Sequence, residues 1–305
     1  MHLPPRFVPP ALRLLKRALQ PGVPVAVQRA LSAAALRALP PPRGTERRHA
    51  TLGGVPVERL RRRGTRPTTR ILYLHGGGYV LGSPATHRAI TVRLALHSGA
   101  ELIVPDYRLA PEHPHPAALD DAREVWRALL DEVGDAAHIA VAGDSAGGGL
   151  ALALALALRD AGQGLPAALA TISPWTDLAL SGASVQARAA RDPLLTPACG
   201  AHWSALYRGG LAADTPACSP LYADPAGLPP LLVHVGSEEI IYDDAQRWVA
   251  KARAAGVAVT LREYAGLWHD FHLQAGLLRE ADDAVAELAA FCAAALAADT
   301  DRESA

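Results

Sequence analysis

The chain has 305 residues, 50% of them hydrophobic, with 30 basic residues against 30 acidic ones; at about 150 residues per domain, that length allows one large α/β domain or two modest ones. A formal charge of zero leaves no long-range field for a phosphate backbone or an anionic lipid, so nucleic acid is not an expected partner. The most apolar run, residues 147–158, falls well short of the roughly 20 residues that span a bilayer, which speaks against stable membrane insertion.

Residues 1–42 read as proline-punctuated helices, 9–19 and 24–39, with leucines and alanines at helical spacing. Arg6, Arg13, Lys16 and Arg17 interrupt any apolar targeting core. With apolar faces but little bulk, these helices must lie against a larger body, as a lid would. From Thr45 the signals change to short apolar strands alternating with longer helical stretches. Residues 45–52 and 55–61 flank Gly53-Gly54, a turn suited to an antiparallel hairpin. Strands follow at 70–75, 101–105, 137–142, 167–172, 230–235 and 257–264. Helices are expected from Ser83-Pro84 and over 117–133, 243–255 and 281–296. Eight strands alternating with helices imply right-handed crossovers and a mostly parallel sheet with helices on both faces, made mixed by the opening hairpin.

Residues 150–158 read LALALALAL, an alternation that mimics a strand. Leucine and alanine are the strongest helix formers, no residue of the run is β-branched, and Gly162 supplies a stop, so the run is assigned to a buried helix. Residues 176–227 hold no clear strand between two clear ones. Loops that long without structure are improbable, and helical pieces such as 197–207 point to an inserted cap. The expected division is therefore a cap segment at 1–44, a catalytic domain of 45–175 and 228–305, and an inserted cap segment at 176–227. Three cysteines, Cys199, Cys218 and Cys292, are too widely spaced for a zinc or redox pair and read as core residues in a reducing cytoplasm.

The strongest motif is Gly143-Asp144-Ser145-Ala146-Gly147, after a strand and opening the buried helix. Strand, sharp turn and helix are the context of a nucleophile elbow, where glycines permit a strained turn that raises a serine hydroxyl above the sheet. His75-Gly76-Gly77-Gly78-Tyr79 follows the strand stretch 70–74. Consecutive glycines let backbone N–H groups converge, so Gly77, Gly78 and Ala146 are the expected oxyanion donors, each contributing roughly 2.7–4 kcal/mol to a tetrahedral intermediate. Among twelve histidines, His269 lies in the loop after the last strand, at the carboxyl edge where ligands of open α/β sheets bind. His272 is its nearest rival; His75 is expected to hold the glycine loop and His234 to lie within a strand. The carboxylate that orients the base should follow the preceding strand, among Glu238, Glu239, Asp243 and Asp244.

The combination of HGGGY, DYRLAPEHPHPAALDD (106–121), GDSAGG and the late WHDF loop resembles the hormone-sensitive-lipase-like carboxylesterases, bacterial family IV of the α/β-hydrolases, over about residues 73–296. The resemblance implies an α/β-hydrolase fold with a helical cap, Ser145 as nucleophile, His269 as base and Gly77, Gly78 and Ala146 as oxyanion donors. That branch writes its acid segment Asp-Pro-Leu-x-Asp where this chain has Glu239-Ile240-Ile241-Tyr242-Asp243, which puts Glu239 on the acid. The implied activity is hydrolysis of small to medium acyl esters by acyl transfer, without metal or organic cofactor, by a cytoplasmic enzyme free to form a homodimer. Lactones and amides could use the same triad. A non-catalytic ligand receptor on this fold is the remote alternative. Tyr79, Leu194, Leu195, Trp203 and Tyr207 are the expected lining of an apolar substrate pocket.

Overall fold

The strand Arg70–Leu74 (β3) buries Ile71, Leu72, Tyr73 and Leu74 almost completely. A strand with no polar side belongs inside a sheet covered on both faces. A computed structural model describes residues 2–38 and 41–298 and places β3 there. The elements are α1 Pro9–Ala18, α2 Val25–Leu36, β1 Thr45–Leu52, β2 Val55–Arg62, β3, α3 Arg88–Ser98, β4 Glu101–Pro105, α4 Ala117–Val133, β5 Ile139–Asp144, α5 Ala146–Asp160, β6 Leu169–Ile172, α6 Ser184–Ala187, α7 Pro197–Arg208, β7 Leu231–Gly236, α8 Tyr242–Ala254, β8 Val259–Tyr264 and α9 Arg279–Ala298. Met1, the expected helix end at Leu39, and residues 299–305 of the expected catalytic domain lie outside the described residues.

The sheet runs β1-β2-β4-β3-β5-β6-β7-β8. The hairpin β1–β2 and its junction with β4 are antiparallel, and every other pairing is parallel. Period-two alternation splits the core into two layers. Leu72 and Leu74 of β3 join Val141, Leu169 and Val233 against α4, α5 and α8. Ile71 and Tyr73 join Ala140, Ala142 and Ile172 against α3 and α9. From β3 the chain steps outward to β4 and returns on the other side to β5. That reversal opens a crevice beyond the carboxyl ends of β3 and β5. The glycine loop leaves β3 and the elbow leaves β5, so topology alone brings the two motifs together.

The LALALALAL run is helical within α5, and its leucines are 0–5% exposed. Being apolar all round suits a helix enclosed between the sheet and its neighbours. Elsewhere the structure moves element starts. Residues 84–86 form a 3-10 turn, because Thr86 Oγ1 bonds back to the backbone N–H and carbonyl of Ser83, and α3 begins only at Arg88. Asp135 caps a similar turn at Ala136–His138, delaying β5 to Ile139. Strands expected from 167, 230 and 257 start at 169, 231 and 259, where Leu169, Leu231 and Val259 come into register. Residues 176–227 carry α6, α7 and a 3-10 turn at Pro220–Tyr222.

Close packing of the elbow against β3 depends on Gly147. A Cβ there would lie 2.1 Å from the Leu74 carbonyl oxygen and 2.5 Å from that of His75. Gly147→Ala should therefore lower the unfolding free energy by about 1–3 kcal/mol, the usual cost of overpacking. Gly210→Ala, with nothing within 4 Å of its Cβ position, should unfold in urea as the parent does; equal stability of both variants would refute this reading of the elbow.

Candidate active site

Ser145 joins β5 to α5 with φ 52° and ψ −120°, a region that L-residues occupy only at a cost of about 1–3 kcal/mol. Its neighbours hold it there. The Ser145 N–H donates to the Ile172 carbonyl at 2.8 Å, and its own carbonyl accepts from Gly149 at 3.0 Å and Trp175 at 2.9 Å. The side chain is thereby turned out of the helix, towards the crevice. Ser145 remains 6% exposed.

The loops after β7 and β8 are tied together by Glu238 N–H to Leu267 O at 2.9 Å and Ser237 N–H to Tyr264 O at 3.0 Å. Those bonds set the next contacts. His269 Nδ1 lies 2.8 Å from Glu239 Oε2, and Nε2 lies 2.9 Å from Ser145 Oγ. The other oxygen of Glu239 accepts from Ser173 Oγ at 2.6 Å and from Gly236 N–H at 2.5 Å, so both carboxylate oxygens are committed. Glu238 points elsewhere, to Ser237 Oγ at 2.9 Å and Arg191 at 3.3 Å. Asp243 and Asp244 stand in the first turn of α8 and accept backbone N–H bonds from Ser184 and from Thr176 and Asp177. They fasten residues 176–184 to α8. His272 is buried 3.1 Å from His234 Nδ1, and burial beside His234 holds its pKa well below the ordinary value.

Three carboxyl groups escaped the sequence reading, Asp144 because its partners are remote in the chain. Asp144 accepts from Tyr73 O–H at 2.6 Å and from Gly76 N–H at 3.0 Å, and its second oxygen lies 3.1 Å from His87 Nε2. It thus pins the glycine loop to the elbow. His75 stacks on Tyr107, and burial drives its pKa down to about 3, so it holds the loop as a neutral ring. Asp192 binds the N–H groups of Leu194, Leu195 and Ile240. Asp270 is the third. Its Oδ2 is 3.1 Å from His269 Nε2, and Oδ1 is buried without a partner among the described residues. Burial pushes Asp270 up to about 7, with His269 pulling against it and the Asp144 charge adding to it. Burial would lower His269, but Asp270 and then Glu239 outweigh it and hold the imidazole well above its ordinary pKa. The only sequence signal for Asp270 was its place beside His269.

Two cavities meet at Ser145. The larger encloses about 650 Å³, open solvent at its mouth included, and is lined by Gly77, Gly78, His269, Asp270, Leu194 and Trp203, beneath Leu12, Leu15 and Leu19 at α1 and Ser32 and Leu36 of α2. The smaller, about 290 Å³, lies between Ser145, Trp175, Leu180, Ile240 and Ile241. Leu195 and Trp203 border both. Tyr79 and Tyr207, expected in the lining, are in neither; their rings stack at 3.6 Å and are buried in the core. Two large flat rings gain more from each other than from an open cavity wall. Gly77 and Gly78 both have positive φ, and a Cβ on Gly78 would strike Trp203 at 2.4 Å, so only glycine lets that ring approach the loop.

A profile of the α/β hydrolase fold matches residues 71–273. An acetyl-hydrolase of Streptomyces hygroscopicus is 44% identical over 221 residues, covering 72% of this chain and 74% of its own. An esterase of Acinetobacter venetianus is 39% identical over 241 residues, 79% of each chain. Among solved structures, an esterase from the bacterial hormone-sensitive lipase family superposes with a TM-score of 0.92 at 38% identity, covering 97% of this chain and 100% of that one. A hormone-sensitive lipase from a metagenome library gives 0.91 at 40% identity, with 97% and 99% covered.

The Asp270 contact makes a direct prediction. An opposite charge this close raises a base by about 1–3 in pKa, and asparagine tolerates the left-handed backbone of position 270 (φ 52°, ψ 37°). In an imidazole NMR titration, Asp270→Asn should lower the His269 pKa by at least about 1; an unchanged or higher value would remove Asp270 from the electrostatics of the site.

Proposed function

The chain belongs to the α/β-hydrolase fold family, in its hormone-sensitive-lipase-like carboxylesterase branch, and on that premise we propose that Ser145, His269 and Glu239 are its catalytic triad. The observation that carries the reading is the unbroken chain of contacts Glu239 Oε2 to His269 Nδ1 at 2.8 Å and His269 Nε2 to Ser145 Oγ at 2.9 Å, at the meeting point of two apolar cavities. His269 takes the Ser145 proton as Oγ attacks the ester carbonyl. Glu239 holds the ring and stabilises the imidazolium. The tetrahedral oxyanion is met by the N–H groups of Gly77, Gly78 and Ala146, each contributing roughly 2.7–4 kcal/mol. Collapse expels the alcohol, which leaves with the proton from Nε2. Water, deprotonated by the same nitrogen, then releases the acid and restores Ser145.

Helices α1 and α2 with residues 176–227 are read as a cap over this centre, since Leu12, Leu15, Leu36, Leu194 and Trp203 roof the larger cavity. The cavity that contains His269 must receive the departing alcohol, because its oxygen takes a proton from Nε2. The smaller one, without His269, is then left for the acyl chain. Its walls of Trp175, Leu180, Ile240 and Ile241 favour short to medium acyl groups.

Two measurements check this. Ser145→Ala should abolish release of the chromophore from p-nitrophenyl esters, and in the parent kcat/KM should fall at least about tenfold from butyryl to dodecanoyl; undiminished turnover by the alanine variant would refute the nucleophile, and a flat series would refute the acyl assignment. Glu239→Gln should lower kcat by about 10⁴, the loss seen when a triad's orienting acid is neutralised, while Glu238→Gln stays within about twofold of the parent because its side chain contacts neither His269 nor Ser145. The reverse ranking would move the acid by one residue. Faster turnover of matched amides than esters would replace the reaction class while leaving the triad in place.

A further inference from the structure

The zero net charge conceals a segregation. The first 45 residues hold seven basic side chains, including Arg6, Arg13, Lys16 and Arg17, and no acidic one, so the remainder of the chain carries the matching acidic excess. The same segment exposes large apolar side chains. Of the six such residues among the described residues, Leu3, Phe7, Leu14, Val27 and Leu31 lie here, with Phe7 57% and Leu14 69% exposed. Val8, Leu12, Leu15 and Leu19 face inward. Pro10, Arg13, Leu14 and Arg17, at helical spacing i, i+3, i+4 and i+7, share the outer face of α1.

Arg13 and Arg17 form no ion pair with a carboxylate among the described residues, unlike Arg59, Arg61 and Arg70 of the hairpin and β3. They border an open hollow together with Lys16 and Gln20, opposite residues 189–196. Lys16 Nζ donates to the carbonyls of Ala189 at 3.2 Å and Asp192 at 2.6 Å. Asp192, the one acid on the wall, turns its carboxylate inward to Leu194, Leu195 and Ile240. The hollow therefore presents cations without a competing anion. Its far wall belongs to the strap that continues into Leu194 and Leu195 over the catalytic cavity.

We propose that the outer face of α1 is a docking surface for an anionic lipid bilayer, in which the Arg13–Lys16–Arg17 hollow receives phosphate headgroups and Phe7 and Leu14 enter the interfacial layer. Basic side chains are drawn to an anionic leaflet, and exposed apolar side chains beside them add area that the interfacial layer buries. Docking there lays the roof of the ester cavity against the bilayer. The attachment is peripheral, since no helix among the described residues is long and apolar enough to cross a membrane. This inference goes beyond the esterase reading and does not require it.

The test is vesicle co-sedimentation of the full chain carrying Ser145→Ala, at about 0.1 M salt, where screening acts over about 10 Å. Vesicles of phosphatidylcholine with about one quarter phosphatidylglycerol should bind the protein, and pure phosphatidylcholine should not. Arg13→Ala with Arg17→Ala should weaken binding by about 25-fold, at roughly fivefold per cation near an anionic surface. Phe7→Ser with Leu14→Ser should weaken it further, whereas Arg127→Ala, on α4, should change nothing. Unaltered melting temperatures will show that the variants are folded. Equal binding to both vesicle types, no binding to either, or indifference to the double arginine change would overturn the proposal. So would Arg13-dependent binding of inorganic phosphate without vesicle binding, or a dimer of this chain that covers α1 and leaves vesicles unbound. Because sedimentation needs no turnover, failure of the docking and failure of the esterase reading are distinguishable.

Discussion

The backbone of Ser145 is the constraint on which the rest of the site depends. A residue held at φ 52° and ψ −120° between a strand and a helix must be fixed from outside, since its own preference is elsewhere. The fixing elements are the carboxyl ends of the neighbouring strands. The Ile172 carbonyl receives its N–H, Trp175 caps its carbonyl, and the carbonyls of Leu74 and His75 press against Gly147. Each of these contacts also positions a loop that faces the serine. The turn that strains one residue thus sets the glycine loop of β3, the Ser173 contact to Glu239 beyond β6, and the larger crevice.

Around that turn the protein buries four carboxyl groups. Glu239, Asp144, Asp192 and Asp270 are all within a few per cent of full burial, beside His269 and His87. Isolated buried charges are costly, and these are held by hydrogen bonds and imidazoles. Glu239 and Asp144 have both oxygens engaged, whereas Asp270 has one oxygen against His269 and one unpartnered among the described residues. A carboxyl group shifted this far by burial beside a specific partner in a cleft marks a candidate functional site. In the proposed reaction it makes His269 a stronger base and ties its proton affinity to the ionisation of Asp270.

Much of the architecture was legible because it rests on local rules. The unbroken apolar run of β3, glycine at the elbow and the strand-helix order each state a near-neighbour constraint, and the loops that carry Ser145 and His269 follow from strand order. Even the deceptive LALALALAL run is settled by helix propensity and the absence of β-branching. What was not legible depends on contacts across the chain. Nothing in the sequence tells Tyr79 that Tyr207 will stack upon it, so both were expected in the pocket and both are in the core. The structural work of Asp144, Asp192 and Ser173 has the same origin, as does the delayed start of β6, β7 and β8. A net charge of zero averages a basic first 45 residues and an acidic remainder, so the total does not describe the charge that any one surface carries.

The central claim is that one strained serine is the reacting group of this molecule. A p-nitrophenyl alkylphosphonate reacts with a serine oxygen only when a base removes its proton and donors receive the developing charge. Intact-protein mass spectrometry followed by peptide mapping should find a single phosphonyl group on Ser145 and none on the Ser145→Ala protein. Modification at another residue of the parent chain, or equal labelling of the two proteins, would contradict the account.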